Sequence, residues 1–301
     1  MAAPRDEPVG SDLVAHLRRV ITASVDLDQR QGGTSAAPVV LRAYREARRH
    51  VEAAGIRRGH VRDVHSALAE LAEVAGWSLF DAGLPGSATL VNRAALEHAT
   101  RAGDRGMALF VRQNQALLAE HEGAPRTSID LADRALADRL SPRLEALFRL
   151  RLARSHALLG HDVARRHLIR ARDLFGEGPG EDDPHWAWWV DDAQLTWFAG
   201  AVELHLGRRT ASVDHFERAA AAEAEPRMSH VYRSWALYAF AVTGSWTEVD
   251  RLLHDLLTRP TPIRSHLAHR RLTAALDVVD RRRAPGSTRD LAHALRASGL
   301  S

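Results

Sequence analysis

Apolar residues recur along the chain with the spacing of an α-helix. Leu13, Leu17, Val20 and Ile21 share one face of a helix that the pattern extends to about residue 30. Ser11 stands where the N-cap of this helix is expected. No comparable stretch alternates apolar and polar residues as a β-strand does. The pattern therefore predicts an all-α chain.

Glycines mark corners between successive helices at nearly regular intervals. Each ends one helical pattern and precedes the next, and their separations are 40, 37, 47 and 37 residues: Gly83, Gly123, Gly160, Gly207 and Gly244. A period of this length indicates stacked helical hairpins. We predict five hairpins over 61–258, preceded by a disordered segment at 1–10 and a helical pair at 11–60, and followed by capping helices at 259–301.

Turn and capping residues refine these boundaries. The segment QGGTSAAP interrupts the first helix, so the second is expected to begin near Pro38. Ser141 directly precedes Pro142, the combination expected of an N-cap and a first helical residue. Asp191 or Asp192 is expected in the first turn of a helix, where the helix dipole favours negative charge.

Small residues recur at fixed distances from the corner glycines. In the fourth hairpin Gly200 precedes Gly207 by seven residues, and Phe216 and Ala219 follow it. Since a glycine inside a helix costs roughly 1 kcal/mol relative to alanine, we expect Gly200 to allow close approach of the second helix, with Phe216 in the seam. Alanines lie 11 or 12 residues after the corner in four hairpins: Ala95, Ala135, Ala171 and Ala219.

Composition removes several classes of chemistry. The chain of 301 residues has no cysteine, and its 41 basic residues are all arginine. Disulfides, thiolate nucleophiles, Schiff-base lysines and a P-loop lysine are therefore excluded. No apolar run approaches the length of a membrane span, and no signal peptide is visible. We expect a cytoplasmic protein that binds no cofactor and does not enter a membrane.

The order of small residue, corner glycine and then alanine or an aromatic residue resembles the tetratricopeptide repeat. The match is best at Gly76, Gly83, Ala88 and Ala95, and again in the fourth hairpin. This resemblance implies a right-handed superhelical array of helical hairpins. It also implies that the first helix of each hairpin lines a concave groove.

Four segments resemble the C-terminal sensor region of actinobacterial XRE-family transcriptional regulators. They are LRRVITASVDLDQRQGG at 17–33, LAEVAGWSLFDAG at 71–83, RAGD at 101–104 and PHWAWWVDDAQLTWFAG at 184–200. Those regulators carry a helix-turn-helix domain ahead of this region, whereas about ten residues precede the first matching helix here. We therefore expect no contact with DNA unless a partner supplies it.

Carried over residue by residue, the tetratricopeptide register places aromatic, amide and charged side chains in the groove. The candidate ligand-binding residues are Glu73, Trp77, Phe80, Phe110, Gln113, Arg154, Trp189, Gln194, Trp197, Ser234 and Tyr238. A wall of this composition suits a peptide, a partner protein or a small-molecule effector. The tryptophans that follow residue 184 have a second interpretation as a packed seam after the long loop.

The leading hypothesis is a regulatory binding module of an actinobacterial, specialised-metabolism context that is not an enzyme. Two alternatives stay open: a homodimeric scaffold, and a biosynthetic enzyme that reuses the aromatic groove as its active site. No catalytic residue is assigned, because adjacent carboxylates such as Asp191 and Asp192 point about 100° apart on a helix.

The histidines and arginines have plain interpretations. The chain has 17 histidines but no HExxH motif, so no metal site is expected from close pairs such as His266 and His269. Arginines are dense over 42–62 and 264–283, where acidic residues interleave and the chain's net charge is only +3. Solvated helix faces are therefore favoured over nucleic-acid contacts.

Overall fold

A computed structural model describes residues 7–223, 225–258 and 264–299 of the chain. Within these ranges the secondary structure is helical, with fourteen α-helices, two short 3-10 helices and no β-strand, as the apolar periodicity predicts. The chain divides into two compact units, Met1–Glu122 and Gly123–Ser301. The division falls between the two helices of the predicted second hairpin.

The first unit holds five α-helices. They are α1 Ser11–Gln31, α2 Gly33–Ala54, α3 Val61–Asp81, α4 Pro85–Ala102 and α5 Arg105–His121. α3 and α4 form an extensively packed pair, and both α1 and α2 lie against α3. The first helix of the predicted array is therefore covered by the N-terminal helices.

The second unit holds the remaining nine described α-helices. They are α6 Pro125–Leu136, α7 Pro142–Leu158, α8 Val163–Gly176, α9 Asp192–His205, α10 Arg209–Ala222, α11 Pro226–Thr243, α12 Trp246–Thr258, α13 His266–Arg281 and α14 Gly286–Ala297. Successive helices pack as pairs, α7 with α8, α9 with α10 and α11 with α12. α13 packs against α11, and α14 packs against α12. Of the predicted capping region, residues 259–263 and 300–301 lie outside the described residues.

The predicted corner glycines all lie between helices in the left-handed backbone region. Their φ angles are between 73° and 80°, which strain any residue with a Cβ atom: Gly83, Gly123, Gly160, Gly207 and Gly244. Ser141 caps α7 by accepting a hydrogen bond from the Leu144 amide, and Asp191 caps α9 by accepting one from the Gln194 amide. These local predictions are confirmed.

Close approach of paired helices explains the glycines inside them. A Cβ atom on Gly200 would lie 2.9 Å from the ring of Phe216 on α10, and Phe216 is fully buried. A Cβ atom on Gly76 would overlap the side chain of Asn92 on α4. The four predicted seam alanines have no exposed surface: Ala95, Ala135, Ala171 and Ala219. The predicted packing of Gly200 on Phe216 is confirmed.

The N-terminal region differs from the expectation in two details. α2 begins at Gly33, five residues before Pro38, because the Gly33 amide donates to the Asp81 carboxylate at 2.8 Å and fixes the first turn. Gly10, not Ser11, is the N-cap of α1.

The predicted disordered segment lies outside the described residues as far as residue 6. Val9 is buried and exchanges two 3.0 Å backbone hydrogen bonds with Gly55 and Arg57. Val9 lies within the predicted disordered segment 1–10 but is ordered in the structure. None of the described helices is both long and apolar enough to cross a bilayer.

Candidate functional site

The candidate residues of the first unit form a buried polar network. Glu73 on α3 accepts a 2.6 Å hydrogen bond from the Asn114 amide on α5, and the Asn114 amide oxygen accepts one from Gln113. All three side chains are buried. Burial raises the pKa of Glu73 to about 8; the bond from Asn114 opposes this rise, and the charges of Glu70 and Asp28 add to it. This network joins α3 to α5 within the protein interior.

Trp77 packs beneath the N-terminal helices. Its indole N–H donates to the Asp28 carboxylate on α1 at 3.2 Å, and its ring lies edge-on to Phe80 at 5.8 Å between centroids. Phe80 is buried and contacts the His121 ring at 4.9 Å. Phe110 on α5 is half-buried. Trp77 itself is half-buried, with α1 against one side of it, whereas Phe80 is buried; the expectation of an open wall is corrected at Phe80.

Apart from Trp189, the candidate residues of the second unit lie on the first helices of successive pairs. Trp197 on α9 stacks on Tyr232 of α11 at 6.0 Å and meets Trp235 edge-on at 5.3 Å between ring centroids. The Arg154 guanidinium on α7 lies 5.3 Å from the Trp197 ring centroid. Trp197 is only 7% exposed, so the expectation that it faces open solvent is corrected. Side chains of both flanking helices close over it.

Besides Trp235, two further residues without a sequence prediction belong to this group. Arg271 on α13 places its guanidinium carbon 3.5 Å from the Trp235 ring centroid and 4.8 Å from that of Tyr238. His205, at the end of α9, meets Trp235 edge-on at 6.3 Å. We call the following set the aromatic–arginine cluster: Arg154, Trp197, His205, Trp235, Tyr238 and Arg271.

The aromatic–arginine cluster has a buried floor and a half-buried rim. Arg154, Trp197 and Trp235 are buried, whereas His205, Tyr238 and Arg271 keep partial exposure. Gln194, a further candidate residue, is half-buried and accepts a hydrogen bond from the Tyr232 hydroxyl. Ser234 is fully buried and donates to the Val231 carbonyl of its own helix, so it does not belong to the rim.

Burial and positive charge set the electrostatics of this cluster. Burial lowers the pKa of His205 to about 3, and the charges of Arg154 and Arg271 act in the same direction. Burial lowers the pKa of Arg271 to about 10; Tyr238 opposes that change, and Arg154 and Arg270 add to it. At neutral pH the cluster therefore holds two guanidinium cations and a neutral imidazole.

Buried nitrogens on two aromatic residues of the cluster have no hydrogen-bond partner among the residues that the structure describes. They are Nε1 of Trp197 and Nε2 of His205. An indole N–H can only donate, and a buried donor without an acceptor costs roughly 1–3 kcal/mol. A ligand atom that accepted from Trp197 would remove this cost.

The other tryptophans predicted for the wall lie in a 3-10 helix, His185–Trp189. Trp189 is half-buried and stacks on the buried Trp186 at 6.4 Å, whereas Trp188 is 61% exposed. The segment GEGPGEDDP ahead of them is held by Asp183, whose carboxylate accepts from the Ser141 hydroxyl at 2.6 Å. The packed-seam interpretation thus fits Trp186 and Trp189.

Several histidines form close pairs. His65 and His98 approach at 3.0 Å between their Nδ1 atoms, and His156 and His161 at 3.3 Å. Burial lowers the pKa of His98 to about 4, and the charges of His65, Arg101 and Arg48 lower it further. Within the described ranges no group of three or more His, Asp or Glu side chains is arranged to hold a metal ion.

A separate cleft opens between α10, α11 and α12. It has a volume of about 500 Å³, and its lining includes the ion pairs of Arg233 with Asp255 and of Arg251 with Glu217. The candidate residues of the sequence do not line it. Its walls combine arginine, acidic and small apolar side chains with two aromatic residues, Phe240 and His254.

Sequence reasoning missed Arg271, His205 and Trp235. Trp235 and Tyr238 are three residues apart on α11 and share a face, which was a usable signal. Arg271 lies in the region predicted as a cap, and only the packing of α13 against α11 brings it to the rings. Comparisons of the chain with protein-family models, with curated protein sequences and with solved structures found no significant match.

Proposed function

We propose that the chain is a regulatory binding module of the tetratricopeptide type, which recognises a peptide, a partner protein or a small-molecule effector. The paired helices, the left-handed corner glycines and the buried seam alanines support this repeat assignment. The binding surface is the aromatic–arginine cluster, with Gln194 beside it. The right-handed superhelical arrangement of the hairpins belongs to the same proposal.

One observation carries this proposal: side chains from α7, α9, α11 and α13 converge in one cluster that is partly open to solvent. Aromatic faces supply rigid contact area, and guanidinium and imidazole groups supply orientation, which is the usual make-up of a ligand site. Because the cluster draws on three successive helix pairs, a ligand that touches all of them favours one arrangement of those pairs. Binding would then regulate the protein by shifting the population of its conformations toward that arrangement.

A thermal-shift screen with metabolites and peptides tests the proposal. Tyr238→Ala removes a half-buried ring from the rim, and Trp188→Ala removes an exposed ring outside the cluster. We expect a stabilising compound to lose its effect on the Tyr238→Ala variant and keep it on Trp188→Ala. If every stabilising compound raised the melting temperature of both variants as much as that of the unchanged protein, the proposed site would be contradicted.

A further inference from the structure

The guanidinium of Arg271 lies over two aromatic rings, Trp235 and Tyr238. Its carbon lies 3.5 Å from the Trp235 ring centroid and 4.8 Å from that of Tyr238, which is stacking distance for both rings. A stacked guanidinium uses its π-face and leaves its N–H donors in the plane of the group. The contacts with the two rings therefore give the N–H donors of Arg271 no oxygen or nitrogen acceptor.

No acidic partner neutralises Arg271 among the described residues. The structure records ring contacts for its guanidinium and no ion pair, and the charges acting on its pKa come from Tyr238, Arg154 and Arg270. Surface arginines elsewhere in this unit do have carboxylate partners, as Arg233 has in Asp255 and Arg296 in Asp277. An anion that paired with this half-buried cation would offset the cost of taking its charge out of water.

A second donor lies in the same cluster. The Trp197 ring contacts Trp235, and Trp235 in turn contacts Arg271. The buried indole N–H of Trp197 has no acceptor among the described residues. An oxoanion accepts hydrogen bonds at more than one oxygen. Because its pKa is lowered to about 3, His205 is neutral at physiological pH and adds no positive charge beside the arginines.

We infer that the ligand of the aromatic–arginine cluster is a carboxylate attached to an aromatic or apolar body. Arg271 pairs with the carboxylate, the Trp197 N–H donates to it, and the body lies against the half-buried ring of Tyr238. This inference rests on the proposed binding function and specifies the chemical class of the ligand. Two sources carry the same chemistry, a small organic acid and the C-terminal residue of a peptide.

Matched pairs of probes test the charge requirement. Benzoate and indole-3-acetate represent small acids, and a tripeptide ending in phenylalanine represents a peptide terminus. Each is compared with its neutral amide by thermal shift and by calorimetric titration of the full chain. We expect saturable binding of an acid from one of the two sources, with the matching amide about tenfold weaker or more.

Two arginine variants on the same helix separate the site from general charge effects. Arg271→Gln removes the stacked cation, whereas Arg270→Gln removes an exposed neighbouring cation. Arg271→Gln is expected to weaken the bound acid about tenfold or more, and Arg270→Gln to leave it within about threefold. Circular dichroism checks that both variants keep their helical content.

Several outcomes would overturn the inference. They are equal binding of an acid and its amide, unchanged binding by Arg271→Gln, and no saturable response to any of the acids. If neutral compounds still bind and lose their effect in Tyr238→Ala, the binding module stands and only the carboxylate assignment fails. If no compound of either kind depends on Tyr238, the binding function fails as well.

Discussion

At the scale of single residues, Glu73 is a buried carboxyl of the first unit whose pKa is raised by burial. It is buried, and its described partner is a neutral amide, Asn114. Such a carboxyl stays protonated in the folded chain over a pH range in which the unfolded chain ionises. The same side chain therefore links α3 to α5 and makes the stability of the fold depend on pH.

The pKa of Glu73, raised from 4.5 to about 8, has a definite sign for stability. Between about pH 4.5 and 8 the folded state holds a proton that the unfolded state has released, so the free energy of unfolding falls as the pH rises. Glu73→Gln removes this dependence and is expected to be more stable than the unchanged chain above pH 8, by an amount on the order of a few kcal/mol. Urea unfolding at pH 5, 7 and 9 measures it.

Glu97→Gln is the matched control, because Glu97 is exposed on α4. It should leave the pH dependence of unfolding as it is. A Glu73→Gln variant with the same pH dependence as the unchanged chain would show that Glu73 ionises normally in the folded state.

His205 gives a prediction of the opposite sign. Burial lowers the pKa of His205 from 6.5 to about 3. Between these two pH values the imidazole is protonated in the unfolded chain and neutral in the folded chain. The contribution of His205 to stability is complete above pH 6.5 and is lost progressively toward pH 3. NMR of the imidazole resonances is expected to show a neutral ring at pH 5; a protonated ring there would contradict the buried position.

At the scale of helices, the pairing of α9 with α10 depends on the absence of one methyl group. Gly200→Ala would place a Cβ atom 2.9 Å from the Phe216 ring and 3.1 Å from the Cβ atom of His215. We expect a loss of about 1–3 kcal/mol in the free energy of unfolding, measured with urea. Adding Phe216→Leu should restore part of it by making room.

Gly86→Ala provides the control for that change. Gly86 lies in the first turn of α4, and a Cβ atom there meets nothing within 4 Å. Alanine should be neutral or stabilise the chain by up to about 1 kcal/mol, because it favours helix more than glycine does. Equal effects at Gly200 and Gly86 would mean that helix propensity, and not close packing, explains the glycine at 200.

Helix ends and seams could be predicted from the sequence because their causes are local. A left-handed corner needs glycine, and a cap needs a side chain three residues before the amide that it serves; Gly207 and Ser141 illustrate the two. The start of α2 could not be predicted in this way. It depends on the Asp81 carboxylate, which is 48 residues away along the chain.

At the scale of the whole molecule, the candidate site could be predicted only in part. Trp197 and Tyr238 do belong to one cluster, as the sequence predicts. Trp197 is buried and not open to solvent, because side chains of the flanking helices cover it. Register along one helix indicates a face, and it does not tell which side chain of another helix covers that face. Arg271 shows the same limit, since its role depends on the packing of α13 against α11.

The division of the chain into two units leads to a prediction about where binding acts. The aromatic–arginine cluster lies wholly in the second unit, on α7, α9, α11 and α13. Hydrogen–deuterium exchange with a stabilising compound is expected to slow in peptides from α9, α11 and α13 and to stay unchanged in α2 to α4. Slower exchange confined to the first unit would place the ligand elsewhere.

A crystal structure of the chain with its best thermal-shift compound tests the central claim most directly. The account predicts electron density for the compound beside Arg271 and Tyr238, with a hydrogen-bond acceptor within reach of Trp197 Nε1. Density for the compound in the cleft between α10, α11 and α12, or against the first unit, with the rings of the cluster untouched, would contradict it.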